Sequence, residues 1–177
     1  MPLPSIFAAF GMLMTGKNDY LSARLVFLIL ASLIPPLSAW IGFHFTRRRV
    51  GGLIAGWLAI FSGFCLAYLG LVETFSLTML LASIFIITAI SKLRFWLRFL
   101  CLGMLAGLIH LTRADGILWL LFGFVTIGIE FRSSITKRLG SLLVCVSALS
   151  VGYLAVTGFW YTRNIIEFSS LLPPGNS

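Results

Sequence analysis

The residues of this chain best equipped for chemistry stand at breaks between apolar runs. Leu111-Thr112-Arg113-Ala114-Asp115-Gly116 separates the run Phe99 to His110 from the run Gly116 to Ile129, and both runs are almost free of charge. An arginine and an aspartate at the junction of two membrane segments are costly to desolvate, so they mark a functional site. The same pair also suits a short extramembrane turn whose charges see water. Arg24, Glu73, Arg163 and Asn164 occupy comparable places at the ends of apolar runs. Sparse arginines and carboxylates at a membrane surface suit recognition of phosphate. The guanidinium is permanently charged, binds phosphate oxygens in pairs, and is weakly hydrated enough for a lipid-adjacent position.

Composition defines the elements that must position these groups. The 177 residues are 59% hydrophobic and only 10% charged, with a mean hydropathy of +1.05. A soluble domain is about a quarter charged, so the sequence describes an integral membrane protein. Sixteen Phe and five Trp provide lipid-facing bulk and interfacial anchors. The expected fold class is all-α, a polytopic helical bundle in one transmembrane domain. The run Pro2 to Met14 is too short to cross about 30 Å of hydrocarbon, and reads as an interfacial helix ended by Gly16-Lys17-Asn18-Asp19. Six spans are expected after it: about Tyr20–Phe45, kinked at Pro35-Pro36, then Val50–Leu71, Thr74–Ile90, Phe95–His110, Gly116–Ile129 and Leu139–Tyr161.

Alternate loops divide the basic residues unevenly. Arg47, Arg48, Arg49, Lys92, Arg94, Arg98, Arg132, Lys137 and Arg138 fall on one side; Lys17, Arg24, Arg113 and Arg163 fall on the other. Nine against four assigns the first side to the cytoplasm. Asp19, Glu73, Asp115 and Glu167 then share the outer face with the four cations, and only Glu130 lies inside. The net charge of +8 is thus spread over short loops. It sets topology and does not form a nucleic-acid footprint.

Other residue types carry less. Cys65, Cys101 and Cys145 lie within apolar runs without CxxC or His spacing, and read as small buried residues. His44 and His110 lack a second ligand at metal spacing, and read as interfacial or hydrogen-bonded histidines. Gly52-Leu53-Ile54-Ala55-Gly56 and Gly103-Met104-Leu105-Ala106-Gly107 both match GxxxG and read as intramolecular packing faces. No P-loop, GxSxG, HExxH or dinucleotide fingerprint is present. The spans also lack the central carboxylates of a proton relay, which argues against a transporter.

The order of the motifs resembles polyprenyl-phosphate-dependent glycosyltransferases of the GT-C fold, the relatives of protein O-mannosyltransferases and aminoarabinose-type lipid A transferases. Gly16-Lys17-Asn18-Asp19-Tyr20-Leu21-Ser22-Ala23-Arg24-Leu25 resembles the turn and A-R-L start that follow the first outer loop there. Glu73-Thr74 is similar to the acidic residue opening a later helix. The stretch from Gly103 to Gly116, GMLAGLIHLTRADG, resembles the G-x-x-x-G…L-T-R-x-(E/D)-G pattern. Trp160-Tyr161-Thr162-Arg163-Asn164 with Pro173-Pro174 resembles the W-x-x-R-N…P exit.

This resemblance implies sugar transfer from a polyprenyl-phosphate carrier to an acceptor on the non-cytoplasmic face of a bacterial or archaeal cytoplasmic membrane. No resident cofactor is expected beside the lipid-linked sugar donor, and the sequence does not decide whether a metal takes part. It places Arg24, Arg113 and Arg163 as holders of the carrier phosphate, with Glu73, Asp115 and Asn164 in support. Arg24 has an alternative as an ion pair with Asp19 or Glu73; Asp115 either orients Arg113 or caps the next helix; Asn164 is alternatively a loop residue. The family's catalytic acid belongs to a first outer loop that would precede Met1, so no catalytic residue is assigned and the chain reads as the middle of a longer enzyme. Two other readings are a non-catalytic membrane protein that binds lipid phosphate or acts as a scaffold, and a transporter.

Overall fold

A computed structural model describes residues 2–61, 68, 71–132 and 139–170. Among these the chain is helical and has no strand. The helices are α1 (Pro2–Thr15), α2 (Tyr20–Ser32), α3 (Ile34–Thr46), α4 (Arg49–Phe61), α5 (Thr74–Ala89), α6 (Phe95–Thr112), α7 (Ile117–Arg132) and α8 (Leu139–Phe168), with a single 3₁₀ turn at Ala114–Gly116. Among the described residues four spans are long and apolar enough to cross a membrane: Tyr20–Thr46, Phe95–Thr112, Ala114–Arg132 and Leu139–Phe168. This is a helical membrane protein. Its large apolar side chains stay exposed along whole helix faces, as on α7 at Leu118, Leu121, Phe122, Val125 and Ile129, which in water would be an aggregation surface and in lipid is ordinary.

The described part of α4 and the 16-residue α5 are shorter than a span; α5 reaches about 24 Å. The expected second span, Val50–Leu71, lies partly outside the described residues, as do Cys65, Lys137, Arg138 and Pro173-Pro174. Contacts divide the chain into two compact units, one of Met1–Ile90 with Leu111–Ala114, the other of Ser91–His110 with Asp115–Ser177.

In the first unit, α1 and α2 form a hairpin. Gly16 turns the chain at φ +68, a conformation that favours glycine. Gly11 lets the Ser22 carbonyl and Val26 approach closely. Asp19 caps α2 in extended conformation, its Oδ1 accepting the Ser22 N–H at 2.8 Å. The kink expected at Pro35-Pro36 is a helix break: α2 ends at Ser32, and the prolines occupy the first turn of α3, where a missing N–H costs nothing. Helices α3 and α4 then pack as a second hairpin, with Gly52 against the Ala39 carbonyl and Gly56 against the Ala39 methyl.

In the second unit the other GxxxG does the same work. Gly103 sits against the Leu149 backbone and Gly107 against Tyr153 and Val156, while Gly152 of α8 faces Leu100 and Met104 of α6. The buried stripe of α6 is Phe99, Leu102, Ala106 and Ile109, at helical spacing. Arg98 of α6 pairs with Glu130 of α7 and lies over the Phe95 and Phe99 rings at 5.6 and 5.0 Å. That pair ties the ends of α6 and α7 remote from their junction, and explains the lone acidic residue among the basic loops.

The expected end of the last span at Tyr161 is corrected: α8 continues to Phe168. No glycine or proline interrupts this stretch, and the Arg163–Glu167 pair at i,i+4 supports its last turns.

Glycine substitutions separate packing from propensity. Gly103→Val and Gly152→Val force backbone apart and are expected to destabilise by about 2 kcal/mol each in equilibrium unfolding from detergent micelles. Gly158→Ala, where an added methyl meets nothing within 4 Å, is expected to be neutral or stabilising by up to about 1 kcal/mol.

Candidate functional site

Three polar constellations interrupt the apolar helices. The first lies at the α1–α2 turn. Thr15, Lys17, Asp19, Leu21, Ser22, Arg24, Leu25 and Leu28 line an open groove of about 610 Å3. Its rim carries two cations, a carboxylate and two hydroxyls. Leu21, Leu25 and Leu28 recur at i, i+4 and i+7, so they form one stripe running down α2 from the rim. Arg24 is half-buried, while Asp19 is exposed. Hydrogen bonds from Ser22 hold the Asp19 carboxyl below its ordinary value, and Lys17 adds to the effect. A second open groove of about 440 Å3, between α3, α4 and α5, contains only apolar residues, Ser38 and Ser83. Without a charge it offers phosphate nothing.

The second constellation joins Arg113 to the first turn of α5. Arg113 Nη1 donates to Thr74 Oγ1 at 3.5 Å, and its guanidinium lies over the Phe75 ring, 5.1 Å from the centroid. Glu73 stands at the N-cap with extended backbone, yet its exposed side chain makes no capping hydrogen bond. Asp115 is exposed in the 3₁₀ turn after Arg113. Gly116 follows it, buried against the backbone of Ile109 and His110, which compresses the junction into a tight corner.

The third is a polar seam along α8. Asn164 is fully buried, together with Thr157 (both 0% exposed), Tyr153 (5%) and Trp160 (9%). The alternative of a loop residue is thereby corrected, since Asn164 lies inside a helix. Tyr161 links this seam to α6: its hydroxyl is 2.8 Å from the Tyr153 hydroxyl and 3.2 Å from His110 Nε2. Arg163 sits on the other side of α8, half-exposed, paired with Glu167 at 2.9 Å and lying over Trp160 at 5.2 Å. It is engaged by its own helix.

The sequence reading did not single out Lys17 and Ser22 beside Arg24, Thr74 beside Arg113, or the His110–Tyr161–Tyr153 chain. Lys17 was visible as a cation in the same turn as Asp19. The contact of Tyr161 with His110 joins residues 51 positions apart, and nothing local announces it. The other histidine, His44, stacks on Trp40 at 5.4 Å. Among the described residues no group of His, Cys, Asp and Glu is arranged to hold a metal ion. No family model, curated protein or solved structure matches this chain.

Two outcomes follow from this geometry. Tyr161→Phe removes the hydroxyl shared by His110 and Tyr153, and is expected to cost about 1 kcal/mol in micelle unfolding; stability equal to wild type would show that the chain does not hold α6 to α8. The Asp19 cap has a lowered folded-state pKa, so its stabilisation is complete above the unfolded carboxylate value of about 3.9 and is lost as pH falls through the folded value. Exchange of the Ser22 amide is expected to accelerate below about pH 4, and Asp19→Ala to show fast exchange at every pH.

Proposed function

We propose that this chain is the phosphate-holding part of a polyprenyl-phosphate-dependent membrane glycosyltransferase with a GT-C-like arrangement of about six spans. In this reading the ends carrying Lys17, Arg24, Arg113 and Arg163 face the non-cytoplasmic side. The loops at Arg47–Arg49, Lys92–Arg98 and Arg132–Arg138 face the cytoplasm, as their positive charge favours. The donor is a sugar on an isoprenoid phosphate.

The groove at the head of α2 is the observation that carries the reading. A phosphate on an isoprenoid chain needs cations at the membrane surface and a continuous apolar track below them. Lys17 and Arg24 supply the first, and the Leu21-Leu25-Leu28 stripe supplies the second. Arg24 binds the phosphate, Lys17 adds charge, and Asp19 stays ionised beside them. Arg163, held by Glu167 and Trp160, would have to leave those partners to take a ligand. No residue of this chain is assigned as the catalytic base.

The test is a titration of the detergent-solubilised protein with a medium-chain polyprenyl phosphate and with the matching uncharged polyprenol. The phosphate is expected to bind at least about tenfold more tightly than the alcohol, and Arg24→Gln to remove most of that difference, the worth of one charge-assisted contact. Equal affinity for the two lipids would overturn the reading. Phosphate binding without sugar transfer to any acceptor in native membranes would favour the non-catalytic lipid-binding alternative.

A further inference from the structure

The tip of the α3–α4 hairpin carries three consecutive arginines that the turn itself does not use. Arg47 and Arg48 connect the helices, and Arg49 opens α4. Backbone and small side chains close the turn. The Arg47 N–H donates to the Phe43 carbonyl at 2.8 Å. The Thr46 hydroxyl donates to the Gly42 carbonyl at 2.7 Å and accepts the Arg48 N–H at 3.3 Å. Gly51 packs on Thr46 with no room for a side chain. Arg47 takes φ +55, the left-handed conformation that ends many helices and favours glycine there. An arginine strains that position, so what it contributes is its side chain. All three guanidinium side chains are exposed, and none pairs with an acid among the described residues. The sequence has no Asp or Glu between Asp19 and Glu73. The C-terminal end of α3 favours Arg47, but the N-terminal end of α4 repels Arg48 and Arg49. Three cations thus crowd one turn without a counter-charge.

The flank of the hairpin next to these cations is apolar. Trp40, Phe43, Phe45 and Val50 are all exposed. Trp40 stacks on His44 at 5.4 Å, and by helix rise it lies about 10 Å back from the tip. Tryptophan at that distance from a basic turn marks the depth where headgroups meet hydrocarbon. An acidic protein would meet the arginines and leave the apolar flank uncovered; a lipid meets both. We infer that Arg47, Arg48 and Arg49 form a docking surface for the headgroup of an anionic phospholipid, with its chains against the apolar flank of the hairpin. The guanidiniums supply forked donors to the phosphate oxygens, and the negative headgroup relieves their mutual repulsion. The surface shares no residue with the α2 groove and requires no sugar or isoprenoid, so it stands apart from the glycosyltransferase reading.

The test is a titration of the purified protein in mild detergent with phosphatidylglycerol and with phosphatidylcholine of the same acyl chains, the bound lipids being resolved by native mass spectrometry. The first phosphatidylglycerol is expected to bind at least about tenfold more tightly than the first phosphatidylcholine. Arg48→Gln and Arg49→Gln are each expected to lower that preference about fivefold, the worth of one cation at an anionic membrane surface. Arg47→Gly is expected to lower it by a similar factor without lowering the thermal midpoint, because glycine suits the left-handed turn. A merely structural arginine would not lose lipid while keeping stability. Lys92 and Arg94 are exposed in another basic turn, and changing both to Gln is expected to leave the preference as it is. Equal affinity of wild type for the two lipids overturns the inference. So does an equal loss in the Lys92 and Arg94 variant, which would mean that the lipid follows net charge alone. Should the glutamine variants fail to accumulate, Arg47→Gly decides, and an unchanged preference there overturns the docking surface.

Discussion

A guanidinium at the end of a membrane helix must recover part of the hydration it gives up, and in this protein an aromatic face is the recurring means. Arg98 lies over Phe95 and Phe99, Arg113 over Phe75, and Arg163 over Trp160. A ring accepts a cation through its negative face without the desolvation cost of bringing a second full charge into an apolar setting. A polar partner accompanies the ring in each case. Arg98 pairs with Glu130 and Arg163 with Glu167, so each of those contacts is a neutral clasp. Arg113 donates to the Thr74 hydroxyl on the first turn of α5.

The same economy governs the backbone. Lipid offers no hydrogen bonds and no hydrophobic drive between helices, so contact depends on close approach. Glycine faces provide it at Gly52 and Gly56 against Ala39, and at Gly103, Gly107 and Gly152 between α6 and α8. Once α6 and α8 are that close, His110, Tyr161 and Tyr153 can satisfy one another inside the unit. The polar seam of α8 is a consequence of the glycine contact and is tolerable only because of it.

Much of this architecture was legible in the sequence because apolar length and breakers act locally. The junction at Thr112–Gly116, the prolines after Ser32 and the turn at Gly16–Asp19 all end helices where the residues dictate. Both GxxxG faces proved to be packing surfaces within the chain. The end of α8 was misread because Arg163 and Asn164 look like an exit from the membrane, whereas an i,i+4 ion pair and a buried amide carry the helix on to Phe168. The candidate sites were half legible. Cations at run ends could be named from sequence, but their partners, Thr74 and Phe75 for Arg113 and Trp160 for Arg163, depend on side-chain placement that no spacing encodes.

The isoprenoid phosphate proposed for the groove at the head of α2 is tested most directly by retention of that lipid through purification. The measurement is native mass spectrometry of the wild-type protein released intact from its own membrane in mild detergent. A discrete adduct with the mass of an isoprenoid phosphate, with or without a sugar, is the predicted result. Protein carrying only bulk phospholipids in their membrane proportions, or no lipid at all, would contradict it.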